Sequence, residues 1–272
     1  MLLAGLAVLK ICNFITYRMK ISIPPMYPRE DRVRQHNPEV FGTDITTYRT
    51  TYTGQVEGEP QIVLVQQPLP ESVLPTHYHA SDQFQLFLDG DGKLGSHALH
   101  PVSIHYTNRF TGYGPLVAGE HGVDYYVLRP KADPLGPGQY LFKTETRDYL
   151  KLQKNQKRTF VVDALEILSE QSLSELNNPE VKELFSVADD APDAGILAQE
   201  LRIGPNRNFC CHDPLTGGGQ VLFVLQGELT HEGIPLASRG AVAASRGDAA
   251  ISFITGRQGV QALLMQYPKW IL

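Results

Sequence analysis

Short runs of Val, Ile, Leu, Phe and Tyr recur along the chain, separated by Gly, Pro, Asn and Asp. Runs of this length, rich in β-branched and aromatic residues and bounded by turn formers, predict the strands of a sandwich or barrel. The clearest lie at 61–66, 83–88, 124–128, 220–225 and 260–266. Helical periodicity is confined to residues 163–190, where leucines recur at mixed three- and four-residue spacings. Pro179 is placed there to open a second short helix. Together with the polar, basic stretch 151–157, this region reads as a partly helical bridge between two β-rich halves.

The halves repeat. "QFQLFLDG" at 83–90 and "QVLFVLQG" at 220–227 both read Gln, six residues, Gly, at an offset of 137. Gly95 matches Gly233 at 138, and Gly122 matches Gly259 at 137. The strands after the late glycines, "VDYYVLR" and "VQALLMQ", are also alike. Landmarks held at a nearly constant offset imply two copies of one domain, and 272 residues accommodate both with a linker. The expected division is an N-terminal extension at 1–26, a first barrel at 27–145, a linker at 146–194 and a second barrel at 195–272.

Composition narrows the setting. With 42% hydrophobic and 19% charged residues the chain is that of a soluble globular protein. Its 24 basic and 29 acidic residues give a net charge of −5, and no basic cluster is interleaved with aromatics. Nucleic acid is therefore not expected as a partner, since a binder needs a basic stripe against phosphate. The apolar stretch 2–9 is too short to cross a bilayer. It also lacks the basic leader and cleavage site of a signal peptide. The extension is expected to be floppy or to lie upstream of a start at Met19 or Met26. A short helix on the barrel and a weak export signal are the alternatives. Two of the three cysteines, Cys210 and Cys211, are adjacent. Vicinal cysteines bridge only under strain, so a reducing, cytoplasmic setting is expected.

His77 and His79 in "LPTHYHASDQ" stand two apart. On a strand such residues project from one face, roughly 6–7 Å apart, and can converge on one metal ion. Gln83 follows as a third ligand or hydrogen-bond donor. Neutral imidazoles suit iron, zinc, copper or nickel better than magnesium or calcium. The loop "RFTGYGP" brings Arg109 and Tyr113, with Gly112 and Gly114 loosening its backbone. Arg109 and Gln85 are candidates for contact with substrate.

His-x-His, three residues, an acidic position, six residues and Gly is the first signature of the cupin superfamily. His77, His79, Gln83 and Gly90 resemble it in that spacing, with Gln83 where the family has glutamate. The double occurrence resembles the bicupins. The resemblance implies an all-β chain of two tandem jelly-roll barrels joined by a short, partly helical linker. It also implies a divalent transition metal near the first barrel axis, held by His77, His79 and Gln83; iron leads, with zinc, nickel, manganese and copper as the others. Aligning the family's later signature puts Tyr113 near its third histidine, while His105 on the incoming strand is the rival for that place. Tyr113 or His105 would then move protons. Further histidines at 97, 100 and 121 are expected on turns or the surface.

In the second repeat Cys210 stands where the first has His77, His212 is the histidine nearby, and glycines 217–219 separate them from Gln220. This pair is expected to be a structural remnant, with a soft zinc or copper site as the alternative. The functional expectation is a metal-dependent bicupin enzyme acting on a small organic substrate, most naturally a non-haem iron dioxygenase. A metal-free binding or sensing protein and a lyase, isomerase or cyclase are its rivals. Either a homodimer or a closed two-barrel monomer is compatible with the pattern.

Overall fold

The computed structural model describes residues 20–136, 138–154 and 156–269. Two antiparallel sheets carry almost all of it, as the alternating pattern requires. The first runs in the order Thr159–Val162, Ser103–Thr107, Gln83–Leu94, Leu116–Arg129, Gln61–Gln67, Thr46–Thr53 and Val33–His36. The second runs Ile21–Ile23, Ala241–Ser245, Gly219–His231, Ser252–Gln266, Leu197–Ile203 and Glu180–Ser186. Each predicted strand lies within one of these. Among the described residues no helix is long and apolar enough to cross a membrane.

Residues two apart on a strand share a face, and here both faces of the central strands are buried. Phe84, Leu86, Tyr126, Leu128, Ile62 and Leu64 point out of the first barrel. They meet Val221, Phe223, Leu263, Met265 and Tyr267 of the second in one continuous apolar core. Aromatic pairs cross that boundary, Tyr126–Phe223 at 5.1 Å and Phe84–Tyr267 at 5.4 Å between ring centroids. The alternate positions fill the two barrel interiors: Val63, Val65, Phe87, Tyr125 and Val127 in the first, Leu222, Val224, Ala262 and Leu264 in the second.

Polar links join the barrels as well. Arg239 of the second forks onto both carboxylate oxygens of Asp89 in the first, at 2.9 and 2.8 Å. Arg158 pairs with the fully buried Asp193 at 2.7 Å.

Three expectations change. The part of the extension that is described, residues 20–26, is built into the fold. Ile21–Ile23 pairs with Ala241–Ser245 of the second barrel, and Met26 is fully buried in the shared core. Residues 1–19 lie outside the described residues. The linker is partly helical as expected, through Thr144–Leu152 and Glu170–Ser174, but the helix expected after Pro179 is the strand Glu180–Ser186. The open edge of Leu197–Ile203 gives that segment a ladder of hydrogen bonds, and Phe185 stacks on Phe160 at 4.7 Å. Such tertiary partners override weak local propensity. The 146–194 linker thus lends Thr159–Val162 to the first sheet and Glu180–Ser186 to the second, so the second barrel begins before residue 195. A helix at Thr144–Leu152 flanks the first barrel.

The repeat glycines mark one feature built twice. Gly90 and Gly227 have φ of 75° and 77°. A Cβ on Gly90 would lie 2.1 Å from the Gly122 carbonyl oxygen, and one on Gly227 2.2 Å from that of Gly259. Left-handed backbone and close approach together admit only glycine. Gly90→Ala and Gly227→Ala are each expected to cost at least about 2 kcal/mol in urea unfolding. A cost near zero at either position would contradict the repeated crossing.

Candidate active site in the first barrel

The His-x-His segment is held between two neighbours. On one side His77 and Tyr113 exchange backbone hydrogen bonds at 3.1 and 3.0 Å, and the Phe110 amide donates to the His79 carbonyl at 2.7 Å. On the other, Gln139–Tyr140 pairs with His77–Tyr78. The rings of His77 and His79 stand 5.2 Å apart, nearly perpendicular. Tyr113 lies 4.6 Å from His77 and 6.4 Å from His79. With Tyr125, Tyr140, Gln85, Arg49 and Arg129, these line a cavity of about 450 Å³, counting its open mouth.

Hydrogen bonds fix the state of each group. His77 Nδ1 faces the Pro75 carbonyl at 2.7 Å, so that nitrogen carries the proton. His79 Nδ1 donates to Asp133 Oδ2 at 2.6 Å. Burial, reinforced by Arg129, lowers His77 to about 4 and holds His79 well below the usual imidazole range. Both rings are therefore neutral, and neither Nε2 makes a hydrogen bond with a described residue. Gln83 donates through Nε2 to the Tyr113 hydroxyl at 2.6 Å, which leaves the phenolic proton free for the cavity. Burial raises the Tyr113 phenol above its ordinary value, so it stays protonated.

Arg129 is the unexpected member. Its guanidinium, nearly excluded from solvent, donates through Nε and Nη2 to Gln83 Oε1 at 3.0 and 2.9 Å, and through Nη1 to Gln61 Oε1 at 2.8 Å. All these acceptors are neutral amides. Arg49 lines the same cavity, half-buried, and makes no hydrogen bond or ion pair with any described residue. Asp133 offsets part of this charge, but its hydrogen bonds go to His79 and to the Ala80 and Leu135 amides. Two guanidinium groups sharing one acid are costly to bury unless something supplies a second negative charge.

Of the expected residues, His77, His79, Gln83, Gln85 and Tyr113 come together. Tyr113, not His105, faces the cavity. His105 lies behind it, with Nδ1 donating to Gln85 Oε1 at 2.7 Å and Nε2 accepting from Thr159 Oγ1 at 2.9 Å, which turns the Gln85 amide N–H groups away from His105. Arg109 does not line the cavity. Its loop turns at Phe110, with φ of 56°, and its amide faces Asp82 Oδ1. His97, His100 and His121 are exposed. Arg129 and Arg49 were legible only as charges on interior-facing strand positions, on one face with Val127 and Tyr125 and with Thr47 respectively; Asp133, in a loop, gave no signal.

The second barrel repeats the geometry without the charge. Gln266 occupies the place of Arg129, opposite Gln220, and accepts from Gln220 Nε2 at 2.7 Å. Exposed Cys210 lies 3.3 Å from Ser252 Oγ, and His212 Nε2 is 3.1 Å from Gln199 Oε1. Among the described residues no three His, Cys, Asp or Glu side chains are grouped to hold a metal.

The metal that the resemblance implies does not fit the first barrel as it stands. Two imidazole nitrogens and a phenol are present, but no carboxylate faces them. The Gln83 oxygen, which replaces the family's acid, already accepts two N–H groups from a fixed cation. A divalent ion there would sit beside Arg129, with Asp133, behind His79, as the one negative charge to offset both.

No protein-family profile matches the sequence, and no curated protein is similar to it. Solved structures are similar in fold. One is a protein of Nostoc punctiforme with a provisional dioxygenase name, at 13% identity and TM-score 0.55, covering 93% of this chain and 81% of that one. Another is the bacterial pirin of Escherichia coli in complex with nickel(II), at 10% and 0.51, covering 93% and 100%. A third is the oxalate decarboxylase of Bacillus subtilis, whose centres hold Mn(II), at 11% and 0.52, covering 93% and 78%. At these identities the likeness shows the fold alone: the chain has the cupin fold, twice over.

The neutral histidines make stability depend on pH. Unfolded imidazoles titrate near 6.5, whereas burial lowers His77 to about 4 and His105 to about 3. Between these values the unfolded chain binds more protons, so stability falls as pH drops below about 6.5 and the loss ends near the folded values. Urea unfolding from pH 7 to 4 should show this decline. His105→Gln should make it shallower by about one proton, or about 1.4 kcal/mol per pH unit; an unchanged slope would show that His105 titrates normally.

Proposed function

We propose that this bicupin fold carries, in its first barrel, an acid–base active site for a small organic acid, of the lyase, isomerase or cyclase class. The observation that carries the reading is Arg129, buried beside Arg49 and hydrogen-bonded among the described residues to neutral amides, so that two guanidinium charges share the single carboxylate of Asp133. A substrate carboxylate supplies the missing charge, and the planar guanidinium forks suit it.

The remaining groups are arranged for proton transfer. His79, its Nδ1 proton held by Asp133, offers Nε2 as the base; the carboxylate orients the ring and stabilises the imidazolium that forms. A proton taken from the carbon beside the substrate carboxylate leaves its electron pair to spread onto oxygens facing Arg129 and Arg49. Tyr113 O–H donates to the substrate from another wall, its oxygen held by Gln83. His77 and Gln85 add one acceptor and one donor to orient the substrate. Bound carboxylate also offsets the two arginines, which raises the depressed His79 basicity toward a working range.

The metal-dependent reading has two supports: neither Nε2 atom makes a hydrogen bond with a described residue, and two proteins of similar fold hold nickel or manganese. On that reading His77 and His79, with Tyr113, would hold the ion, which would supply Lewis-acid or, for iron in a dioxygenase, redox chemistry. One set of measurements separates the readings. Protein purified without added metal is expected to hold less than about a tenth of an equivalent of transition metal. Small carboxylates such as lactate should raise its melting temperature equally with and without chelator. Arg49→Met, which breaks no hydrogen bond, should keep the unliganded melting temperature within about 2 °C and weaken carboxylate binding at least tenfold. Stoichiometric metal together with a chelator-sensitive shift would establish the metal reading instead. Carboxylate binding with no proton exchange at the carbon beside the acid would leave a binding protein.

A further inference from the structure

Arg49 and Arg129 face two spaces at once. The inner one is the cavity of His77, His79 and Tyr113. The outer one, toward solvent, shares Gln35, Arg49 and Arg129 with it and is walled further by Val33, Thr51, Val63, Gln61, Asp133 and Gly136. It encloses about 730 Å³, open mouth included. The strand pattern explains the arrangement. Arg49 and Thr51 share one face of Thr46–Thr53, and Val33 on the neighbouring edge strand is paired with Arg49. Thr51 is in turn paired with Val63. Two arginines thus form a collar between an inner space rich in proton-transfer groups and an outer one floored by Val33, Val63 and the Thr51 methyl.

We infer that the outer compartment is a subsite for the tail of the substrate, so that the substrate class is a 2-substituted monocarboxylic acid bearing a short neutral aliphatic chain. The carboxylate rests on the arginine collar, the reacting carbon faces His79 and Tyr113, and the chain lies over Val33, Thr51 and Val63. Successive residues on one strand face are about 6–7 Å apart, so the span from Arg49 past Thr51 matches a chain of a few carbons. The far wall selects against a second acid group. Asp133 presents a carboxylate to this space, its Oδ1 accepting from the Leu135 amide at 2.9 Å and its Oδ2 from His79 and the Ala80 amide. A dicarboxylate of equal length would bring like charge against it. This inference rests on the acid-binding reading above, but its test is separate from that reading's.

The test is calorimetric binding of a 2-hydroxy acid series, glycolate through 2-hydroxyoctanoate, to the full chain. Affinity is expected to rise about two- to fourfold per added methylene over the first several carbons, and 2-hydroxyglutarate to bind at least tenfold more weakly than 2-hydroxypentanoate. Thr51→Trp fills the outer compartment without touching the inner one. It should leave glycolate affinity and melting temperature unchanged while abolishing the gain with chain length. Thr51→Val, isosteric and apolar, should retain the gain. Binding of short acids with no dependence on chain length, or a gain that survives Thr51→Trp, would overturn the tail subsite while leaving the acid site intact. No binding by any member of the series would overturn both.

Discussion

Water is excluded from both faces of the central strands, and most of the molecule's organisation follows from that. A strand with one wet face sorts its side chains into apolar and polar. Here the sorting is between two dry spaces, the apolar contact between barrels and the barrel interior. Phe84, Leu86, Tyr126 and Leu128 serve the contact, where shape and area decide. Gln83, Gln85 and Arg129 alternate with them and face inward, where every polar group needs a partner because no bulk water supplies one. The hydrogen-bonded array Arg129–Gln83–Tyr113 is the interior's answer to that requirement, and it holds the site in one geometry.

The same constraint explains why the barrels differ although their backbones repeat. At one register position the first barrel has Arg129 opposite Gln83 and the second Gln266 opposite Gln220. Amide against amide makes a neutral pair, although the Gln220 Oε1 has no hydrogen-bond partner among the described residues, and Leu222, Val224 and Leu264 fill that interior. A guanidinium against an amide satisfies the hydrogen bonds but leaves a whole charge over. That charge, which shares Asp133 with an Arg49 that has no hydrogen bond or ion pair among the described residues, is what distinguishes the first interior from the second. It also bears on the histidines: burial holds His77 and His79 neutral and the positive charge of Arg129 adds to the effect, with their Nε2 lone pairs facing the cavity.

A His-x-His pair serves metal binding and acid–base chemistry equally well, because both need a neutral imidazole with one nitrogen tied and the other free. What separates them is the charge around the pair. With glutamate after the histidines and no arginine, the interior would favour a divalent cation; Gln83 and Arg129 are the ground for proposing an anion instead. A single amide in place of a carboxylate would not decide this. The guanidinium seated on that amide does, since it occupies the acceptor a metal would use and adds like charge beside it.

The sequence by itself determined the strands, the duplication and the pocket's location. Each of these is written in local or near-local pattern: short apolar runs at 83–88 and 220–225, glycines at an offset of 137, two histidines two apart. The glycine landmarks were reliable because only glycine fits the backbone at Gly90 and Gly227. What the sequence left open depended on partners distant along the chain. Glu180–Ser186 reads as helix until the edge of Leu197–Ile203 is offered to it, and residues 20–26 read as extension until Ala241–Ser245 receives them. The choice between Tyr113 and His105 rested on which side of one loop faces the axis, and only packing decides that. Arg129 carries the most that the chain does not spell out: among the described residues its hydrogen bonds go to the amides of Gln83 and Gln61 and not to the acid Asp133, and that choice of partners in space cannot be read along a chain.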